Sequence, residues 1–254
     1  MFKLFNNSKY KDDNEAITAL MRITSMGFGD EQDFKKENML SVIGDIEKEF
    51  QNTTNPRLVY WLGIAWRNFT AWHIRGDERK GNLDKAISYF NKAFGLSKNT
   101  LPVQLPLEKR HNAEYLDQID IAGELGHMLV DDAPIRDLDR AEKALKFVFD
   151  NTKEYEPCLC SYAELFYKRG NYLKSAEIGL NISDRCAISP EWKDSPPPAP
   201  LGIVGSAYRA LAKQAKKEGN NDVAIIYFEK MKKLKIATEN DLKILDKLKN
   251  QPAK

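Results

Sequence analysis

The 254-residue chain is 42% hydrophobic and 30% charged with a formal net charge of +2, enough apolar material for a buried core and too little basic excess for a dedicated nucleic-acid binder. No apolar run approaches the roughly 18 to 20 residues of a membrane span, and the basic start MFKLFNNSKYKDD lacks the apolar stretch and cleavage site of a signal peptide. Three cysteines, an odd number, make no disulfide framework and point to a reducing cytoplasm.

Residues 1–56 read as a helical cap, a degenerate helix pair. NEAITALMRITSM carries apolar steps at Ile17, Leu20 and Ile23, and KKENMLSVIGDIEKEF carries them at Met39, Ile43, Ile46 and Phe50.

Helical repeats are expected over 57–235, beginning with a pair at 57–96. In LVYWLGIAWRNF, Val59, Leu62 and Trp66 form the apolar set, with small Gly63 beside Leu62. Trp61, Phe69 and Trp72 cluster within about 80° at 100° per residue, while Trp66 sits further round. A helix sandwiched between two neighbours explains this better than an aromatic platform for a peptide or base. GNLDKAISYFNKAF follows, with Leu83, Ala86, Ile87, Phe90, Ala93 and Phe94 at three- and four-residue steps. Asn82 is expected to cap this helix and Gly81 to make the sharp turn before it. The small Ala86 allows close approach of a neighbouring helix, and the aromatic one turn later fills the gap beyond.

SKNTLPVQLPLEKRHNAEYL, with its prolines, reads as a loop. The second pair, 116–150, repeats the pattern as Ala122, Leu125, Gly126 and Leu129 in DIAGELGHMLV, then Leu138, Ala141, Leu145, Val148 and Phe149 in LDRAEKALKFVF. The third, 157–186, offers Leu159, Tyr162, Ala163 and Phe166, ending at Gly170, then Ala176 and Leu180 in GNYLKSAEIGL. SPEWKDSPPPAP reads as a stiff loop that fills or covers a groove, in preference to a polyproline ligand for another domain. The fourth pair, 201–235, sets Tyr208, Leu211, Ala212 and Ala215 before Gly219. It continues as GNNDVAIIYFEKMK, a near copy of the segment at 81–94. Finally TENDLKILDKLKN, within 236–254, reads as a lysine-rich capping helix opened by a capping box at Thr238 and Asp241.

Ala86, Ala141, Ala176 and Ala224 are spaced by 55, 35 and 48 residues. A helix-pair repeat of about 34 residues explains the middle value, and the two proline-bearing loops absorb the excess in the others. With Leu62-Gly63, Leu125-Gly126, the Gly81-to-Ala86 and Gly219-to-Ala224 turns, and the pairs Ala86/Phe90 and Ala224/Phe228, the chain resembles the tetratricopeptide repeat (TPR) family over roughly residues 57 to 235. The first unit departs from that pattern by about eleven extra residues within WRNFTAWHIRGDERK, which the related Sel1-like repeats tolerate. The resemblance implies an all-α solenoid of about four antiparallel helix pairs with helical caps at both ends.

Residues that carry chemistry are sparse. The histidines are His73, His111 and His127. Glu124 and His127 share a helical face, and with Asp131 they define the alternative reading, a metal- or ligand-binding helical enzyme. Di-iron bundles need a second Glu-x-x-His step and two more glutamates, and a solvated acidic helix bearing a histidine is the simpler reading. Cys158, Cys160 and Cys186 lack zinc-site spacing and read as buried apolar cysteines. LGIVGSAY merely resembles a glycine-rich phosphate loop, since no strand precedes it. No catalytic constellation and no cofactor are expected.

In the TPR family the first helix of each pair lines a concave groove that takes peptides or partner helices. Carried onto this chain, the resemblance assigns partner binding to Tyr60, Arg67 and Asn68 beside Ile64, to His127 between Asp120 and Asp131, to Glu164, Tyr167 and Lys168 beside Cys160, and to Arg209, Lys213, Lys216 and Lys217. Nine acids face two bases from His111 to Glu142, and eleven lysines face six acids from Lys213 to Lys254. A groove acidic in the middle and basic at one end would orient a partner. The expected function is a cytoplasmic protein-interaction module: an adaptor, a chaperone-like holder, or a toxin-neutralising immunity protein. RNA binding through the lysine-rich end is the weaker reading, because Tyr227 and Phe228 fall in the core stripe.

Overall fold

The structure is a computed structural model and describes residues 9–24, 33–106, 109, 115–192 and 194–250. The first eight residues of the basic start, His111 and the middle of the first expected loop lie outside the described residues. Among the described residues all regular structure is helical. The α-helices are α1 Asp13–Thr24, α2 Lys36–Glu49, α3 Pro56–His73, α4 Glu78–Ser97, α5 Gln118–Asp131, α6 Leu138–Asn151, α7 Leu159–Lys168, α8 Tyr172–Ile188, α9 Ala199–Lys217, α10 Asn221–Lys233 and α11 Glu239–Lys249. A short 3-10 turn, Ala133–Ile135, lies between α5 and α6. No described helix is long and apolar enough to cross a membrane.

The chain divides into two compact units, one through Arg136 and one from Asp137 onward. The expected pair at 116–150 thus contributes α5 to the first unit and α6 to the second. In the first unit α3 is the central element, packed against α1, α2 and α4, and α4 packs in turn on α5. In the second unit each helix from α6 to α11 packs on the next, and α7 also meets α9. This neighbour-on-neighbour packing of amphipathic helices makes the molecule an all-α helical repeat protein.

The apolar stripes face inward as the periodicity requires. Val59, Leu62, Ala86, Phe90, Ala122, Leu129, Ala141, Leu145, Ala163, Ala212, Ala224 and Phe228 are all buried. In the first unit the sandwiched position of α3 buries Trp61, Trp66 and Phe69, with Trp72 edge-on to Phe34 at 5.7 Å. Trp66 donates its indole N–H to Glu47 of α2 at 2.7 Å and takes the Lys85 ammonium 4.1 Å from its ring centroid. The aromatic cluster is therefore core packing, with the Trp66 indole edge satisfied by Glu47 and the ring nitrogen Nε2 of His73, beside Phe69, buried without a hydrogen bond.

The turns follow one device used repeatedly. Gly170 and Gly219 adopt positive φ (76° and 79°), and in each case the residue after glycine sends its N–H back to the last turn of the helix (Asn171 to Phe166 O, 2.9 Å; Asn220 to Ala215 O, 2.8 Å). The same asparagines then cap the next helix, each side-chain oxygen accepting a backbone N–H at 3.2 Å from Lys174 and 3.3 Å from Val223. Lys235 occupies the equivalent position after α10 at φ 58°, without glycine's freedom.

The first copy of that Gly-Asn pair behaves differently. Gly81 and Asn82 lie inside α4, which starts at Glu78, so they are neither turn nor cap. Gly76, at φ 66°, takes the turn instead. Glu78, Arg79 and Lys80 are good helix formers, so the helix starts as soon as that glycine has reversed the chain. The extra residues of the first unit are accordingly spent on long helices, 18 residues in α3 and 20 in α4.

At the C-terminal end the expected capping box is present. Asp241 N–H donates to Thr238 Oγ1 at 3.2 Å, and Thr238 N–H donates to Asp241 Oδ2 at 2.8 Å. A second box, missed in the sequence, opens α5: Asp120 N–H donates to Asp117 Oδ1 at 2.8 Å and Asp117 N–H to Asp120 Oδ2 at 3.2 Å. Asp117 also accepts the Leu105 N–H at 2.7 Å, which fastens the preceding loop to the helix start.

Candidate partner-binding groove

In the second unit a groove of about 550 Å³ runs between the C-terminal turn of α7 and the outer face of α9. Its α9 wall is a helical stripe: Ser206 and Ala210 are small, and Arg209, Lys213 and Lys217 follow at three- and four-residue steps. Opposite stand Tyr167, the penultimate residue of α7, and Tyr172, the first of α8. The Gly170 turn folds these two tyrosines onto one another, with ring centroids 5.1 Å apart. The result is an aromatic ledge facing a cationic wall.

Lys213 and Lys217 are exposed and have no carboxylate partner among the described residues. No acidic side chain lines the groove. An anionic group entering it would meet two solvated ammonium groups and displace no existing ion pair.

Arg209 is differently placed. Its Nε donates to Asp241 Oδ2 at 2.9 Å and its Nη2 to the Ile236 carbonyl at 3.2 Å, so its guanidinium ties α9 to the start of α11 while still lining the groove. Asp241 is 4% exposed. Burial pushes its pKa up, but hydrogen bonds from the Thr238 N–H and hydroxyl and from Arg209 outweigh that and hold it below the usual 3.8.

Lys216 is exposed and does not line the groove. Glu164 and Lys168 pair with each other along α7 at 3.5 Å and do not line it either. The proline-rich loop lies elsewhere: Ser189 accepts the Tyr155 N–H at 2.8 Å, Trp192 sits edge-on to Tyr155 at 5.6 Å, and no described residue of 189–200 lines the groove.

In the first unit the expected residues form a second polar set, in which Arg67, Asn68 and His127 already have partners. Arg67 of α3 forms an ion pair with Glu124 of α5 and donates Nε to Asn68 Oδ1 at 3.2 Å. Asn68 in turn donates to the Thr24 carbonyl at 3.1 Å. Tyr60 is held edge-on to Phe90 at 5.6 Å. Burial, reinforced by Glu124 and Asp120, pushes its phenol well above the usual 10. His127 Nδ1 lies 2.9 Å from Asp131 Oδ2. That hydrogen bond raises its pKa above 6.5 against the opposing effect of burial. Glu124 is thus committed to a guanidinium, and among the described residues no three His, Cys, Asp or Glu side chains converge to hold a metal ion.

None of the three cysteines is in a disulfide; Cys186 is buried and Cys158 and Cys160 are half-buried. Burial pushes the Cys186 thiol up to about 11 and raises that of Cys160, so neither has the thiolate character of a nucleophile.

Tyr172, Ser206, Ala210 and Gln214 line the groove and were not singled out from the sequence. For α9 the signal was legible, since Ser206, Ala210, Lys213 and Lys217 share one helical face. Tyr172 gives no such signal, because it belongs to the second helix of its pair and reaches the groove only through the turn geometry. Compared with protein-family models and with curated proteins, the chain finds no match in either.

Proposed function

We propose that the chain is a cytoplasmic protein-interaction module with TPR-like helix pairs, and that its α7–α9 groove takes an acidic segment of a partner protein. The observation that carries this reading is the pairing of an aromatic ledge, Tyr167 and Tyr172, with the unpaired Lys213 and Lys217 across a groove that has no acid of its own. Such a surface gives a partner's carboxylates long-range attraction and gives an adjacent apolar or aromatic side chain a flat face to settle on. A chain that only binds acts through what it holds, as an adaptor, a holder or a neutraliser.

The test uses a short labelled peptide with glutamates around a central phenylalanine, measured by fluorescence anisotropy against the full chain. Binding should weaken about tenfold or more in Lys213→Glu/Lys217→Glu, and should weaken as salt rises. Equal binding by the double variant would sink the reading. Tighter capture of a single-stranded RNA than of the peptide would replace it with the nucleic-acid reading.

A further inference from the structure

A second groove lies on α6 and α8, with a cavity of about 780 Å³. Its floor is aromatic: Phe149 of α6 with Tyr162 and Phe166 of α7, successive ring centroids standing 5.4 Å apart. Tyr162 is 6% exposed, and its hydroxyl has no hydrogen-bond partner among the described residues. The ring is buried while its hydroxyl reaches the solvent of the groove, where a polar group of a guest can replace water.

The lining acids are Glu142 and Asp150 on α6 and Glu177 and Asp184 on α8, the lining bases are Lys146 and Lys174, and Glu142 is held by Arg169 just after α7. Lys146–Asp150 at 2.6 Å and Lys174–Glu177 at 3.1 Å are solvent-exposed pairs within single helices, easily exchanged for a better partner. Asp184 is exposed and has no partner among the described residues. The aromatic faces already accept cations: the Arg185 guanidinium stands 4.1 Å from the Phe149 centroid and that of Arg169 stands 6.0 Å from Phe166.

We propose that this α6–α8 groove is a second docking surface, taking a basic segment of a partner protein in which arginines flank an apolar anchor. The anchor lies on the aromatic floor, and the arginine stems run along it while their heads reach the carboxylates of Asp184 and Glu177. A donor N–H of the segment then meets the Tyr162 hydroxyl. The chemistry is opposite in sign to that of the α7–α9 groove, so the two surfaces select different segments.

The experiment measures a short labelled peptide, phenylalanine flanked by arginines, against the full chain by anisotropy. A matched peptide with glutamates in place of arginines serves as the control. Asp184→Lys should weaken the basic peptide about tenfold or more and Tyr162→Phe severalfold, while Lys213→Glu/Lys217→Glu should leave it unchanged. That last arm separates failure here from failure of the other groove. The proposal is overturned if the basic peptide does not bind, if its glutamate counterpart binds as well, or if Asp184→Lys has no effect. Concentration-dependent dimerisation abolished by Asp184→Lys, without peptide binding, would assign the groove to a second copy of the chain and also overturn it.

Discussion

Gly63 of α3 and Phe90 of α4 compete for one space: a β-carbon on Gly63 would stand 2.9 Å from Cε1 of a ring that is fully buried. The small residue is what lets the two helices approach, and the large one fills what the small one leaves. Gly179 and Val204 repeat the relationship between α8 and α9, where a β-carbon would stand 2.7 Å from Val204 Cγ2.

Replacing Gly63 by alanine sets two effects against each other. Helix propensity favours alanine by about 1 kcal/mol, and overpacking costs about 1 to 3 kcal/mol. Phe90 cannot retreat, so Gly63→Ala is expected to lower the thermal midpoint by a few degrees. Gly81 lies inside α4 with open space around it. Gly81→Ala should therefore raise stability by up to about 1 kcal/mol, whereas a turn glycine there would make the same change destabilising. Paired thermal melts decide both.

Phe228 packs in a cluster with Tyr208, Ala212, Ala224, Met231, Leu245 and Leu248. Phe228→Ala should cost about 3 to 5 kcal/mol through the cavity it leaves. Because helices of a repeat protein lean on their neighbours, hydrogen exchange should show lost protection from about residue 201 onward and little change at 57–95. Uniform loss along the chain would instead mean a single cooperative core.

Lys235 holds a left-handed conformation that disfavours any residue with a β-carbon by about 1 to 2 kcal/mol. Lys235→Gly should recover about 1 kcal/mol of that in denaturant titrations, less whatever glycine adds to the freedom of the unfolded chain.

His127 reports on the polar set of the first unit. Its raised pKa comes first from the Asp131 hydrogen bond, with Glu124 adding to it and burial and Arg67 opposing. A group whose pKa rises on folding stabilises fully below its unfolded value, near 6.5, and stops doing so as pH climbs past the folded value. An NMR titration should place His127 above 6.5 in the wild type and lower in Asp131→Asn. The variant should also lose the extra acid-side stability. An unchanged midpoint would remove Asp131 as the cause.

The core was legible because burial follows a period that the sequence displays: Leu83, Ala86, Phe90 and Ala93 share a stripe whatever the chain does elsewhere. Cap positions were legible only where nothing upstream competed. The segments at 81 and 219 read almost alike, yet Gly76 claims the first turn and makes Gly81 an interior residue. Lys213 and Lys217 were found because an exposed helical face is a local property. Arg209 looked identical to them along the chain, but Asp241, 32 residues away, captures its guanidinium. Pairings of that range leave no mark in periodicity.

Arg209 therefore answers to two masters. One edge of its guanidinium holds the first turn of α11, and its side chain walls the groove. A carboxylate that enters and recruits Arg209 must take it from Asp241, leaving a buried acid without its cation and the terminal helix with a weaker hold. By thermodynamic reciprocity, the tighter α11 is docked, the less of Arg209 any acidic guest can claim. Only a guest that reaches past Lys213 and Lys217 to Arg209 would therefore loosen α11, and a reporter dye on α11 would tell such a guest from one held by the two lysines alone.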